Sequence, residues 1–157
     1  MKTSAVPGAI DALLSICRAA PALAVDQVLI IDGPPVGDMS DQDIVAIGWN
    51  PGDEPGADLT QDFAYAGART RDEDFNVTGW IESWSGDGDV QPRRARAFEL
   101  LGVIETAIRA SGTNTTAPTL GGAVQWAHLT RGQLQQFNTD QGIRVGIAFT
   151  VTCRARL

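Results

Sequence analysis

The sequence predicts an α+β domain, a mainly antiparallel (mixed) sheet of about six strands packed with two helices. Three observations predict it. Residues 143–156 alternate apolar and polar side chains almost without a break, the period of a strand with one buried face. Two other segments, 5–20 and Val90 to Arg109, carry apolar residues three and four apart, the period of a helix with one buried stripe. The element order, helix, four strands, helix, two strands, lacks the strict strand–helix alternation of a parallel sheet.

Each element has its own local reason. In the first helix Ser4 is placed as N-cap and Pro7 in the first turn, Ile10, Leu13, Leu14 and Cys17 share a face, and Pro21 ends the run. Val25 to Ile31 is rich in β-branched residues and stops at the turn Asp32-Gly33-Pro34-Pro35. Asp43 to Trp49 reads as a second strand. The run Asn50-Pro51-Gly52-Asp53-Glu54-Pro55-Gly56-Ala57-Asp58 is acidic and broken by proline, so a long loop is expected over 50–60, projecting from the domain and ordering on assembly.

Gln61 to Arg69 and Glu73 to Trp84 read as strands, the second with Phe75, Val77 and Ile81 on one face and Asn76, Thr78, Trp80, Glu82 and Trp84 on the other. Residues 85–89 form a turn, with Asp87 or Asp89 as cap and Pro92 in the first turn of the second helix. That helix turns Ala97, Leu101, Ile104 and Ile108 inward and leaves Arg93, Arg94, Arg96 and Glu99 mostly outside. Residues 111–121 form a polar linker, Ala123 to Gln135 a strand, and the final hairpin turns near Asn138 to Gly142.

Composition narrows the function. A chain of 157 residues, 43% apolar and 20% charged, fits one folded domain over 1–157. The net charge of −7 disfavours a nucleic-acid grip through a basic surface. That charge is uneven: between Asp26 and Asp89 fifteen carboxylates face two arginines, a net −13, while ten basic groups and four acids elsewhere leave +6. Such asymmetry suits self-association between copies. Cys17 and Cys153 lie far apart in apolar contexts and are expected to be buried thiols in a reducing compartment. Neither a signal peptide nor a membrane span is expected.

Chemistry-bearing motifs are sparse. His128 is the single histidine, so a Ser-His-Asp triad would need it, and it sits in a strand pattern with no GxSxG turn in the chain. No phosphate-binding glycine loop occurs. Asp72-Glu73-Asp74 and Asp87-Gly88-Asp89 could hold a hard cation, which keeps a small metal-dependent hydrolase as the alternative function, although neither cluster matches a calcium-binding loop. No cofactor or metal is expected. Trp49, Trp80, Trp84 and Trp126, with Arg69 and Arg71, are of the types enriched at interfaces.

The runs Arg69-Thr70-Arg71-Asp72-Glu73-Asp74-Phe75-Asn76-Val77, Ile81-Glu82-Ser83-Trp84-Ser85-Gly86-Asp87 and Arg93-Arg94-Ala95-Arg96-Ala97-Phe98-Glu99-Leu100-Leu101 resemble tail terminator proteins of long, non-contractile-tailed phages of GC-rich bacteria. Ala5 to Leu14, Ile31 to Pro35, Ile47-Gly48-Trp49, Leu120 to Val124 and the closing Arg154-Ala155-Arg156-Leu157 fit the same family, so the likeness covers nearly the whole chain.

The resemblance implies a non-catalytic virion protein, assembled in the host cytoplasm, that forms a ring, usually a hexamer, in the phage neck. The ring caps the tail tube protein, ends tail polymerisation and offers a docking surface to the head connector, while DNA passes through the lumen without specific binding. On that footing Asp53, Glu54, Asp58 and Asp62 are expected on a loop facing the lumen or a partner. Trp49, Arg69, Arg71, Trp80, Trp84, Arg93, Arg94 and Arg96 are expected at a subunit or tube interface. The acidic middle of one subunit would meet the basic C-terminal region of the next.

Overall fold

The computed structural model describes residues 2–37, 43–86, 88–109, 117–140 and 142–157. It is an α+β fold with an open, mixed six-stranded sheet and three helices. Helix α1 (Val6–Ala19) buries Val6, Ala9, Leu13, Leu14 and Cys17, and Ile10 is half-buried at the edge of that face. Ser4 still serves the helix start, one residue ahead of the geometric cap, by accepting the Val6 amide at 3.1 Å. The helix ends before Pro21, as expected, with Ala20 extended; Pro21 then opens a short α2 (Pro21–Val25), which the sequence did not indicate, as a proline can because its missing amide is not needed in a first turn.

The first strand is correspondingly shorter than expected. Gln27 adopts a left-handed backbone (φ 54°), the Val28 amide closes back on Leu23, and β1 (Leu29–Asp32) starts only after that turn. It lies parallel to β2 (Ile44–Ile47), the one parallel pair among the described residues. The next strand is displaced. It was expected over 61–69, but β3 is Ala57–Phe63, and residues 64–70 form the turn into β4 (Arg71–Ser85). Acidic and small residues at 57–60 read as loop, yet Leu59 stands opposite Phe75 and the backbone completes the β4 ladder.

Helix α3 (Val90–Ile108) is capped by Asp89, whose carboxylate accepts the Gln91 amide at 3.3 Å, while Asp87 lies outside the described residues. Its buried stripe is Ala97, Leu100, Ile104 and Ile108, with Leu101 half-buried in place of the full burial expected. Of the linker expected over 111–121, only 117–121 is described, and turns there continue to 124, so β5 (Trp126–Thr139) starts three residues late. The β5–β6 hairpin turns between Thr139 and Gly142, as the sequence indicates, and β6 (Gly142–Arg156) alternates in burial towards both ends but is buried on both faces over 145–149.

The sheet order is β1-β2-β4-β6-β5, with β3 beside the first half of β4 in line with β2. α1 and α3 cover one face, over Val45, Ile47, Phe75, Val77, Ile81 and the inward residues of β6. Burying a side chain of the size of Ile81 or Phe149 there contributes about 2 kcal/mol each. Among the described residues no helix packs on the opposite face. Its apolar centre is Trp80 with Ala46 and Ala148, flanked by Ile31 and Trp49. The Trp80 ring lies flat over Gly146 of the neighbouring strand, where a Cβ would stand 2.0 Å from Cζ2.

Candidate functional site

The charge asymmetry of the sequence is resolved largely inside the subunit. β4 and β6 pair antiparallel with Asp72 opposite Arg156, Asp74 opposite Arg154 and Trp84 opposite Arg144, which brings the acidic middle against the basic C-terminal strand. Arg156 grips Asp72 through Nε at 2.7 Å and Nη2 at 3.1 Å, and Arg154 meets Asp74 at 3.3 Å and Asp72 at 3.4 Å. Arg144 lies 3.3 Å from Glu82 as an ion pair, without hydrogen-bond alignment at its Nε. The hydrogen bonds from Arg156 hold the Asp72 carboxyl below its ordinary value; partial desolvation opposes them, and the charges of Arg156 and Arg154 add to them. These pairs engage, within one subunit, charges that the sequence offered to a neighbouring copy.

Alternation along β4 separates the acidic triplet. Asp72 and Asp74 stand on the open face, whereas Glu73 points under α1 and is fully buried. There its carboxylate accepts the Ser4 hydroxyl at 3.1 Å, the Ala5 amide at 2.7 Å and the Gln61 side-chain amide. A strand carboxylate thus satisfies a helix N-terminus 68 residues away in sequence. Among the described residues no three His, Cys, Asp or Glu side chains gather at metal-ligand distances.

The loop expected over 50–60 is confined to 50–56, because 57–60 belong to β3. It is tied to the open face at several points. Asn50 is buried, accepts the Gly52 amide at 2.8 Å and donates to Glu54 at 3.3 Å. Glu54 meets Arg131 of β5 at 3.1 Å, and the Thr78 hydroxyl donates to the Pro55 carbonyl at 3.0 Å. Gly56 packs so closely on the Gly48 carbonyl that a Cβ would stand 2.2 Å from its oxygen. Asp53, Asp58 and Asp62 are exposed and form no ion pair among the described residues. A polar cleft of about 460 Å³ separates this loop from β5, lined by Asp58, Asn76 and four threonines beside the Glu54–Arg131 pair.

Most of the residues expected at an interface are engaged within the chain. Trp80 is buried and its Nε1 donates to Glu82 at 3.0 Å. Trp49 and Trp84 are half-buried, and the buried Trp84 Nε1 has no partner among the described residues. Arg71 donates to Gln61 at 2.9 Å, Arg93 to Ser83 at 3.2 Å and Arg94 to Gln136 at 3.0 Å. Arg96 is the hub of a clamp between α3 and the sheet, meeting Asp43 at 2.8 Å, Asp26 at 2.9 Å and Glu99 at 3.0 Å. Burial works against its charge, but the Asp43 and Glu99 carboxylates outweigh burial and raise its pKa. Arg69 is exposed and makes no hydrogen bond or ion pair among the described residues.

Two surfaces were not singled out by the sequence. At the β3–β4 turn Phe63 and Tyr65 are 71% and 70% exposed. Read as part of a continuous strand, they lost the one cue available, Gly67 with its left-handed backbone at φ 81°. On the helix layer, α1, α2 and α3 leave an apolar groove of about 850 Å³. Its floor is small side chains, Ala19, Ala22, Gly102 and Ala107, which a pattern of large apolar residues does not mark. His128 stays on the exposed side of β5, its ring 5.0 Å from that of Trp126.

No family model matches the chain, and no curated protein matches its sequence.

Proposed function

We propose that the chain is the subunit of a ring that caps the tail tube of a long, non-contractile-tailed phage, ends tail polymerisation and offers a docking surface to the head connector. The reading starts from the resemblance of the motifs to tail terminators. The observation that supports it best is that one subunit carries two unlike unpartnered surfaces, the aromatic β3–β4 turn and the apolar groove on the helix layer. A closed ring is built from heterologous contacts, in which two different patches of one subunit meet on its neighbours. A symmetric dimer would have to make the same contact twice, reciprocally across its two-fold axis.

The exposed acids fit the same reading. Asp53, Asp58 and Asp62 lie along the loop and β3 on one edge of the open face, and six copies would set a belt of negative potential around a lumen. DNA crossing such a wall makes no counterion-releasing contacts and passes without being held. The test is polymerisation of tail tube protein with and without the chain, followed by electron microscopy. Tubes with one decorated end and a bounded length are expected; undecorated tubes of unchanged length would overturn the proposal.

A further inference from the structure

We infer that the β3–β4 turn of one copy seats in the helix-layer groove of the next, with Phe63 and Tyr65 as the inserted side chains; this rests on the ring reading and names its contact. Two aromatics two positions apart, each about seven-tenths exposed, are a costly surface for an isolated subunit. Among the described residues no other turn presents two exposed aromatic rings so close together. The groove is the matching half: a small-residue floor between Ile16 and Val103 leaves room for a ring, and its walls are helices rather than mobile loops.

The two halves cannot meet within one subunit. The N-terminal end of α1 is fastened beside the turn, through Glu73 to Ala5 and Gln61 to the Thr3 carbonyl, whereas the groove is formed by the last turn of α1 and by α2. Nine helical residues, Val6 to Leu14, about 14 Å at the usual rise, lie between Ala5 and the first groove residue, Ser15. Nor do the residues just after α3 supply an occupant, because 110–116 read Ala-Ser-Gly-Thr-Asn-Thr-Thr and hold no large apolar side chain. Charge agrees with a second copy. The turn over 64–70 carries Arg69 and no acid, while the groove is lined by Glu99, whose side chain is 64% exposed even as it meets Arg96. The contact joins unlike patches, so repetition closes a ring or extends a file of subunits.

Cysteine pairing in the full chain tests this directly, because both native thiols are buried. Tyr65→Cys and Gly102→Cys are made in separate molecules and mixed under mild oxidation, with Val36→Cys, at an 83% exposed site, replacing Tyr65→Cys in the control mixture. The mixed Tyr65→Cys and Gly102→Cys disulfide is expected to form at least about tenfold faster than the control pair. Gly102→Trp fills the groove where nothing lies within 4 Å of a new Cβ, and it should weaken self-association by about tenfold or more with unchanged circular dichroism. Equal disulfide rates, with assembly unaffected by Gly102→Trp, would overturn this contact and leave the ring reading standing. A wild-type chain that never self-associates would overturn both.

Discussion

Asp72 and Arg156 stand directly opposite one another in the β4–β6 ladder, and the guanidinium holds the carboxylate through two hydrogen bonds of 2.7 and 3.1 Å. The pair joins the acidic middle of the chain to the end of the basic C-terminal strand. With Asp74–Arg154 and Glu82–Arg144 it forms a line of cross-strand ion pairs on the open face. Charges that look, along the sequence, like material for an interface therefore fix the register of two central strands. The surfaces left for a neighbour are chiefly apolar.

Acid should loosen this line. The Asp72 carboxyl is held below its unfolded value of 3.8, so its stabilising contribution is complete above about pH 5 and is lost as pH falls through the lowered folded value. In thermal melts from pH 7 to pH 3, Asp72→Asn should melt lower at pH 7 and lose less on acidification than the wild type. Parallel profiles for the two proteins would show that the pair carries no pH-dependent stability.

Glu73 should matter more than any surface carboxylate. Glu73→Ala leaves the Ala5 amide, the Ser4 hydroxyl and the Gln61 amide without their buried acceptor, at a cost of about 3 kcal/mol. Glu73→Gln should cost less, since its side-chain oxygen can still accept from Ala5. Urea unfolding measures both, and hydrogen exchange should show the loss first in the opening turn of α1.

Gly146 is required by the ring above it. Gly146→Ala would put a Cβ 2.0 Å from Trp80 Cζ2 and force the indole from its seat between the strands, costing about 2 kcal/mol through overpacking. Denaturant unfolding gives the stability change, and a red shift of tryptophan emission should accompany it as Trp80 gains water.

Both thiols should be silent in the folded protein. Burial pushes Cys17 and Cys153 up to about 12, so almost no thiolate exists at pH 8 and both sulfurs are covered by the packing around them. A thiol reagent should detect neither in native buffer and both in denaturant. Rapid native labelling of either would contradict the packing described for α1 or β6.

Long periodic segments were legible in the sequence because their periodicity reports burial directly. α1, α3, β6 and the two faces of β4 follow from the spacing of their apolar residues. The misses have local causes: a five-residue α2 opened by Pro21, too short to show a periodic pattern, and acidic residues at 57–60 that pair as an edge strand despite their loop-like composition. The site was less legible for a different reason. A sequence shows which charges exist and not which partner each meets, so Arg71, Arg93, Arg94 and Arg96 looked available while Gln61, Ser83, Gln136 and Asp43 hold them. Exposure of Phe63 and Tyr65 depends on a turn whose position shifted by several residues, and the groove depends on small side chains that carry no periodic signature.

The most direct test of the ring is the mass of the assembled full chain, measured by sedimentation velocity and native mass spectrometry over a wide concentration range, alone and with tail tubes. The proposed ring, with the hexamer that the resemblance to tail terminators implies, predicts a single closed species of about six copies, populated at high concentration or on the tube end. A chain that remains monomeric under every one of these conditions would contradict it.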